Sequence, residues 1–103
     1  MQTIVVLFNL KPGVSREEYE AWARDSDLPV VNGLPSVETF EVLRAGGLLV
    51  GDGPSPYQYV EIIRVPDMDA FLADLSDPAA QAGAAQFQQR YADNPLFILA
   101  SAL

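Results

Sequence analysis

The 103-residue sequence contains no histidine and no cysteine, and Lys11 is its only lysine. The absence of cysteine excludes disulfides, thiolate chemistry and Cys-ligated metals, and it is typical of a cytoplasmic protein. The absence of histidine removes the commonest general base, the commonest metal ligand and the usual proximal haem ligand. Acid–base chemistry must therefore use Asp, Glu, Tyr or Lys11, and we expect no metal and no cofactor.

Basic side chains are also scarce. The chain has six basic and fourteen acidic side chains, which gives a net charge of −8. Nucleic acids and anionic membrane surfaces repel such a chain, so neither is an expected partner. The N-terminal stretch "MQTIVVLFNL" has neither the basic region nor the small-residue cleavage site of a signal peptide. No apolar run approaches the roughly 20 residues that span a bilayer.

What is present is a regular alternation of strand-like and helix-like segments. The strand-like segments lie at 2–10, 36–45, 57–65 and 96–102, and the helix-like segments follow Ser15 and Asp67. This order predicts one α+β domain over residues 1–103. Its fold is ferredoxin-like, βαββαβ, with a four-stranded antiparallel sheet and the helices on one face.

Local signals set the ends of the predicted helices. Ser15 and Glu18 have the spacing of a capping box, and Pro29 predicts that the first helix has ended by Leu28. Asp77 and Pro78 predict the N-cap and first position of a further helix. The stretch "DNP" at 93–95 predicts its end, before the last strand begins.

The second face of the sheet predicts an interface. Residues 3–9 and 96–102 are apolar on both sides of their strands, whereas a small open sheet ordinarily has one polar face. A large apolar face left in water usually marks an interaction surface. We therefore expect a homodimer packed sheet to sheet. The alternative is a monomer whose free face is covered by the glycine-rich loop 46–56, which could also be a cavity lid, a dimer arm or a plain hairpin extension.

The opening strand followed by "LKPGVSREEYEAW" resembles the dimeric α+β barrel superfamily. The layout of the whole chain is most similar to the small REDY-like proteins found with prodigiosin-type pigment biosynthesis. The resemblance implies a ligand cavity between sheet and helices and a role with small, flat, hydrophobic molecules. The cyclases of the superfamily carry a first-strand histidine, where this chain has Ile4. The haem-degrading members use an Asn–Trp–His set, of which only Asn9 could be matched.

Glu61 is the strongest candidate for chemistry. It lies in the middle of the strand "YQYVEIIRV", on the face shared by Tyr57 and Tyr59. A carboxyl buried in an apolar cavity has a raised pKa, which suits a general acid or base near neutral pH, and Tyr59 could assist it. The alternative is a structural ion pair between Glu61 and Arg44 or Arg64.

The candidate substrate-binding residues are polar or aromatic side chains expected near that cavity: Asn9, Tyr19, Trp22, Tyr57, Phe87 and Tyr91. Asn is depleted in strands unless its amide has a partner, so Asn9 either contacts a ligand or bonds the backbone of the following turn. The aromatic residues are either cavity walls or ordinary core residues.

Two functions fit these residues. The first is an enzyme that binds a hydrophobic or aromatic biosynthetic intermediate and promotes cofactor-free proton transfer, condensation or cyclisation. Glu61 is then the acid–base group, and Tyr59, Tyr91 and Asn9 orient the substrate. A cofactor-free monooxygenase is a weaker variant of this hypothesis. The second is a carrier with the same cavity and no chemistry.

Overall fold

A computed structural model describes residues 1–103. The strands are β1 (Gln2–Leu10), β2 (Thr39–Arg44), β3 (Tyr59–Val65) and β4 (Ala92–Ser101), and they form one antiparallel sheet in the order β2-β3-β1-β4. The helices are α1 (Arg16–Trp22), α2 (Leu28–Asn32), α3 (Met68–Asp74) and α4 (Pro78–Gln86). A π-helical turn follows α1 at Ala23–Asp27, and another follows α4 at Phe87–Tyr91. The predicted α+β ferredoxin-like fold is confirmed. No helix is both long and apolar enough to cross a membrane.

Strand β1 shows how the sheet divides its residues between two faces. Ile4, Val6, Phe8 and Leu10 are buried, and the residues between them are half-buried. Because successive side chains of a strand point to opposite faces, the buried set marks the side covered by the helices. There it forms one core with residues of the helices and turns, including Tyr19, Phe71 and Phe87.

The turn between β1 and α1 follows from its sequence. The Val14 amide donates to the Lys11 carbonyl at 3.1 Å, with Pro12 and Gly13 at the centre of the turn. Gly13 has φ +88°, which the second central position of such a turn requires and glycine adopts without strain. The Ser15 hydroxyl then accepts from the Glu18 amide at 3.1 Å, so the N-terminal cap of α1 is confirmed.

The prediction that the first helix ends before Pro29 is wrong. The chain continues through the π-helical turn into α2, and Pro29 lies in the first turn of α2. The Leu28 amide donates to the Ala23 carbonyl, five residues back. This wider turn makes room for the proline ring, which in a regular helix clashes with the carbonyl four residues earlier. As a result, Asp27 sits in the middle of a continuous helical segment.

The prediction that "DNP" precedes the last strand is also wrong, because β4 begins at Ala92 and contains these residues. Asn9 pairs with Asp93 and Leu7 with Leu96, so the register shifts between them at a bulge. Asn94 adopts φ +47°, a conformation that asparagine tolerates better than most residues. The bulge absorbs Asn94 and Pro95 without ending the strand. Asp67 and Asp77, in contrast, cap α3 and α4, as predicted for Asp77.

Candidate functional site

A cavity of about 260 Å³ lies between the sheet and the helices. Twelve of its sixteen lining residues are hydrophobic. The sheet contributes Ile4, Phe40, Glu61, Ile63 and Phe97. The helical segments and the turns after α2 and α3 contribute Asp27, Val30, Val31, Leu34, Phe71, Leu75, Ala80, Gly83, Ala84, Phe87 and Gln88. A cavity of about 150 Å³ is enough for benzene, so this one has room for a molecule of one to two rings.

Glu61 projects into this cavity from the centre of the sheet. Its backbone neighbours are Val6 on β1 and Val42 on β2, and the residue is 4% exposed. The Glu61 carboxylate accepts one hydrogen bond, from the Tyr19 hydroxyl at 3.3 Å. Burial, followed by the nearby charge of Asp27, raises the pKa of Glu61 to about 8, against a smaller opposite effect of the Tyr19 bond. The carboxyl is thus poised to exchange a proton near neutral pH.

The alternative of a structural ion pair at Glu61 is wrong. Arg44 pairs with Glu20 on α1, and Arg64 pairs with Glu41 at 3.5 Å on the other face of the sheet. None of the ion pairs in the structure includes Glu61. No cation therefore compensates this carboxylate, and burial determines its protonation.

Asp27 is a second carboxyl in the same cavity, and it was not among the residues predicted from the sequence. It is 9% exposed and makes no hydrogen bond to the protein, and burial raises its pKa to about 7. One signal was available, because Asp27 follows the buried residues Tyr19 and Ala23 by eight and four positions, on one helical face. The predicted helix end at Leu28 concealed it by making Asp27 a terminal residue.

Tyr59 shares the face of Glu61, as predicted, but its hydroxyl reaches a different group. It donates to the Glu20 carboxylate at 2.7 Å, and Arg44 donates to the same carboxylate through Nε at 2.7 Å. These bonds lower the pKa of Glu20 to about 2. Tyr59 does not line the cavity. The hydroxyl that contacts Glu61, which was predicted to be that of Tyr59, belongs to Tyr19.

We expect Tyr59→Phe to cost about 1 kcal/mol of unfolding free energy, since it removes one hydrogen bond from a carboxylate that keeps its arginine. Ligand affinity in the cavity should not change, because the hydroxyl points away from it. Urea denaturation measures the first effect and titration with an apolar ligand the second. The matched variant Tyr19→Phe removes the hydroxyl that does contact Glu61. A loss of affinity in Tyr59→Phe equal to that in Tyr19→Phe would contradict this assignment.

Two predicted binding residues lie outside the cavity. Asn9 occupies the sheet face away from the helices, where its side chain donates to the Pro56 carbonyl at 3.1 Å and accepts from the Gln58 amide at 2.9 Å. Its amide therefore extends the pairing of β1 with the chain that enters β3. Tyr57 lies in that entering segment and does not line the cavity.

The remaining aromatic residues form a continuous cluster beside the cavity. Phe87 is buried and lines the cavity directly. Trp22 stacks on Tyr91, with ring centroids 4.8 Å apart, and both contact the Tyr19 ring. Trp22 and Tyr91 do not line the cavity. They hold Tyr19 in place, and Tyr19 in turn holds Glu61.

A second depression, of about 420 Å³, is open to solvent at α1. It is lined only by charged residues: Arg16, Glu17, Glu20, Arg24 and Arg44. Glu20 already pairs with both Arg24 and Arg44. Since most of its charges are already paired and no hydrophobic residue lines it, the apolar cavity is the better candidate site. No three His, Cys, Asp or Glu side chains are grouped to hold a metal ion.

The comparison with known proteins agrees with this architecture. HapK from Hahella chejuensis is 30% identical, with a TM-score of 0.77, over 100% of this chain and 93% of that chain. A dimeric ferredoxin-like protein of unknown function from Thermobifida fusca is 20% identical, with a TM-score of 0.72, over 98% and 90%. The hydroxynitrile lyase of Passiflora edulis is 15% identical, with a TM-score of 0.79, over 96% and 90%.

No curated protein matches the chain. The family described as REDY-like protein HapK matches residues 2–103, which is nearly the whole sequence. The chain belongs to the REDY-like HapK family.

Proposed function

We propose that the protein binds a small hydrophobic or aromatic intermediate in the cavity and promotes cofactor-free proton transfer on it, in a condensation, cyclisation or isomerisation. Glu61 is the acid–base group. The observation that carries the proposal is a buried carboxyl in an apolar cavity, with a pKa raised to about 8 and no cation beside it. Burying such a group destabilises a fold, so a functional role accounts for it better than a structural one.

Tyr19 positions this carboxyl. Its hydroxyl donates to one Glu61 oxygen, which leaves the other free to face the cavity. Burial and the charge of Glu61 raise the pKa of Tyr19, so the phenol remains protonated while Glu61 gains or loses its proton. The apolar walls supply binding energy, and a substrate that displaces water from them increases the strength of every polar contact it makes.

The hydroxynitrile lyase of Passiflora edulis supports the enzyme proposal because it is an enzyme on the same fold. The alternative is a carrier that uses the cavity without chemistry, and the absence of histidine favours it. The two proposals differ in what Glu61→Gln does. If the protein is an enzyme, turnover falls by a factor of about 100 to 10,000, because the acid–base group is lost, while ligand affinity changes little.

This experiment requires a substrate, and compounds retained by the purified protein, identified by native mass spectrometry, are the first candidates. Glu17→Gln is the matched control, since it makes the same change on the exposed side of α1. Undiminished turnover in Glu61→Gln would remove this residue from the mechanism. A retained ligand that is never converted by the wild-type protein would favour the carrier.

We further propose a homodimer packed through the sheet face opposite the helices. That face carries Val5 and Leu7 on β1, and Leu96 and Ile98 on β4 are 47% and 43% exposed. The apolar tip of loop 46–56 is also uncovered, with Leu49 100% and Val50 85% exposed. The related Thermobifida fusca protein is described as dimeric, which supports this assembly. The cavity lies on the other side of the sheet and stays accessible.

A further inference from the structure

The cavity contains two carboxyls on facing walls and no group of opposite charge. Glu61 enters from the sheet, and Asp27 enters from the helical segment that covers it. The remaining lining residues are apolar apart from Gly83 and the amide Gln88, and they come from every other element around the cavity. The only other titratable group at the pair is the Tyr19 hydroxyl, which is committed to Glu61.

All six cations of the chain are engaged elsewhere. Arg24 and Arg44 pair with Glu20, Arg64 pairs with Glu41, and Arg90 pairs with Glu18. Lys11 donates to the Gln89 carbonyl, and Arg16 lies over the Tyr59 ring. No arginine or lysine lines the cavity. A ligand that carries a carboxylate would therefore meet two carboxyls and no compensating charge.

Asp27 lacks a hydrogen-bond donor. It is nine-tenths buried and makes no hydrogen bond to the protein, and its carboxyl oxygens are not fully covered, since the only fully covered side-chain oxygens without a partner are Ser36 Oγ and Thr39 Oγ1. Its Oδ1 faces α4, 4.0 Å from where a β-carbon on Gly83 would lie. Because Asp27 lines the cavity and its oxygens are not fully covered, a donor that arrives with the ligand can reach this carboxyl.

We propose that Asp27 and Glu61 together make the cavity selective for apolar ligands that carry a cationic or N–H-donating nitrogen, and that Asp27 is the specificity-determining residue. The nitrogen donates to Asp27 and supplies the missing positive charge, while the ring fills the apolar walls. Glu61 remains available for proton transfer. This inference rests on the proposed function, because it names the class of ligand for the same cavity.

Three compounds with one benzene ring test the proposal: benzylamine, benzyl alcohol and benzoate, each titrated into the wild-type protein at pH 8 by calorimetry or NMR. We expect benzylamine to bind at least about tenfold more tightly than benzyl alcohol, since its bond to a carboxylate is charge-assisted. Benzoate should bind most weakly. The preference for benzylamine should fall at pH 5.5, where both carboxyls are protonated.

The variant Asp27→Asn should abolish the preference for benzylamine and leave the affinity for benzyl alcohol within a factor of two. Asp25→Asn, an exposed residue two positions earlier, is the matched control and should change nothing. Equal binding of benzylamine and benzyl alcohol by the wild type would overturn the selectivity, with the cavity itself still supported. A preference that persists in Asp27→Asn would remove Asp27 from the specificity. If none of the three compounds binds, the proposed ligand cavity itself fails.

Discussion

Replacing Asp27 by Asn together with Glu61 by Gln should stabilise the folded protein by several kcal/mol at pH 9. The pKa of Glu61 rises from its ordinary value of 4.5 to about 8, and that of Asp27 from 3.8 to about 7. Each tenfold change in proton affinity corresponds to about 1.4 kcal/mol of unfolding free energy. The two carboxyls interact, so they titrate as a pair and their effects are not additive.

The direction of the pH dependence follows from these raised values. Between about pH 4 and pH 8 the folded chain binds more protons than the unfolded chain, so the free energy of unfolding decreases as pH rises. The contribution of each carboxyl is fully present below its unfolded pKa. It is lost as pH passes through about 7 for Asp27 and about 8 for Glu61. The double variant has neither carboxyl, so its stability should stay nearly constant across this window.

Urea denaturation at pH 5, 7 and 9, at one fixed protein concentration, measures the effect. The concentration must be fixed because association contributes to apparent stability. The matched control is Glu17→Gln with Asp25→Asn, two exposed carboxyls on the same helical segment. It should follow the wild type. A wild type equally stable at pH 5 and pH 9 would mean that both carboxyls are hydrated in the folded chain, and the basis for the acid–base role of Glu61 would be lost.

Local rules predicted those parts of the fold that depend on a few neighbouring residues. The limits of β1, the Ser15 cap of α1 and the Asp77 cap of α4 each follow from residues within one turn or one strand. The same rules failed at Pro29 and at residues 93–95. In both places a proline that ordinarily ends an element is accommodated by a local irregularity, a π-helical turn in one and a bulge in the other.

The candidate site was only partly predictable, because its contacts join distant parts of the chain. The position of Glu61 in the middle of a strand was evident from the sequence, but its partner Tyr19 lies 42 positions away. Nothing local distinguishes Tyr19 from Tyr59 as that partner. The position of Tyr59 two residues from Glu61 favoured it, yet its hydroxyl extends along the sheet to Glu20. Asp27 could not be predicted as a cavity residue, because its position depends on the helical segment continuing past it into α2.

The proposed sheet-to-sheet dimer leads to a prediction whose expected effect is of comparable size. Val5 lies on the central strand β1, between Ile62 and Ile98 on the face opposite the helices. In a symmetric dimer Val5→Asp buries two unpaired carboxylates at the centre of the interface, and burying one alone costs several kcal/mol. We expect the dissociation constant to rise by about a thousandfold or more, since every 1.4 kcal/mol is tenfold.

Sedimentation velocity across a range of protein concentrations measures this change. Leu72→Asp is the matched control, because Leu72 is 58% exposed on α3, on the helical side of the sheet, and should leave the dimer intact. The Val5→Asp monomer should still bind apolar ligands, since the cavity faces the helices. A wild-type chain that sediments as a monomer at micromolar concentration would rule out the dimer. The apolar sheet face would then have to remain in water, against the reason for which the dimer was proposed. Ligand binding by that monomer would show that the cavity is complete within one chain.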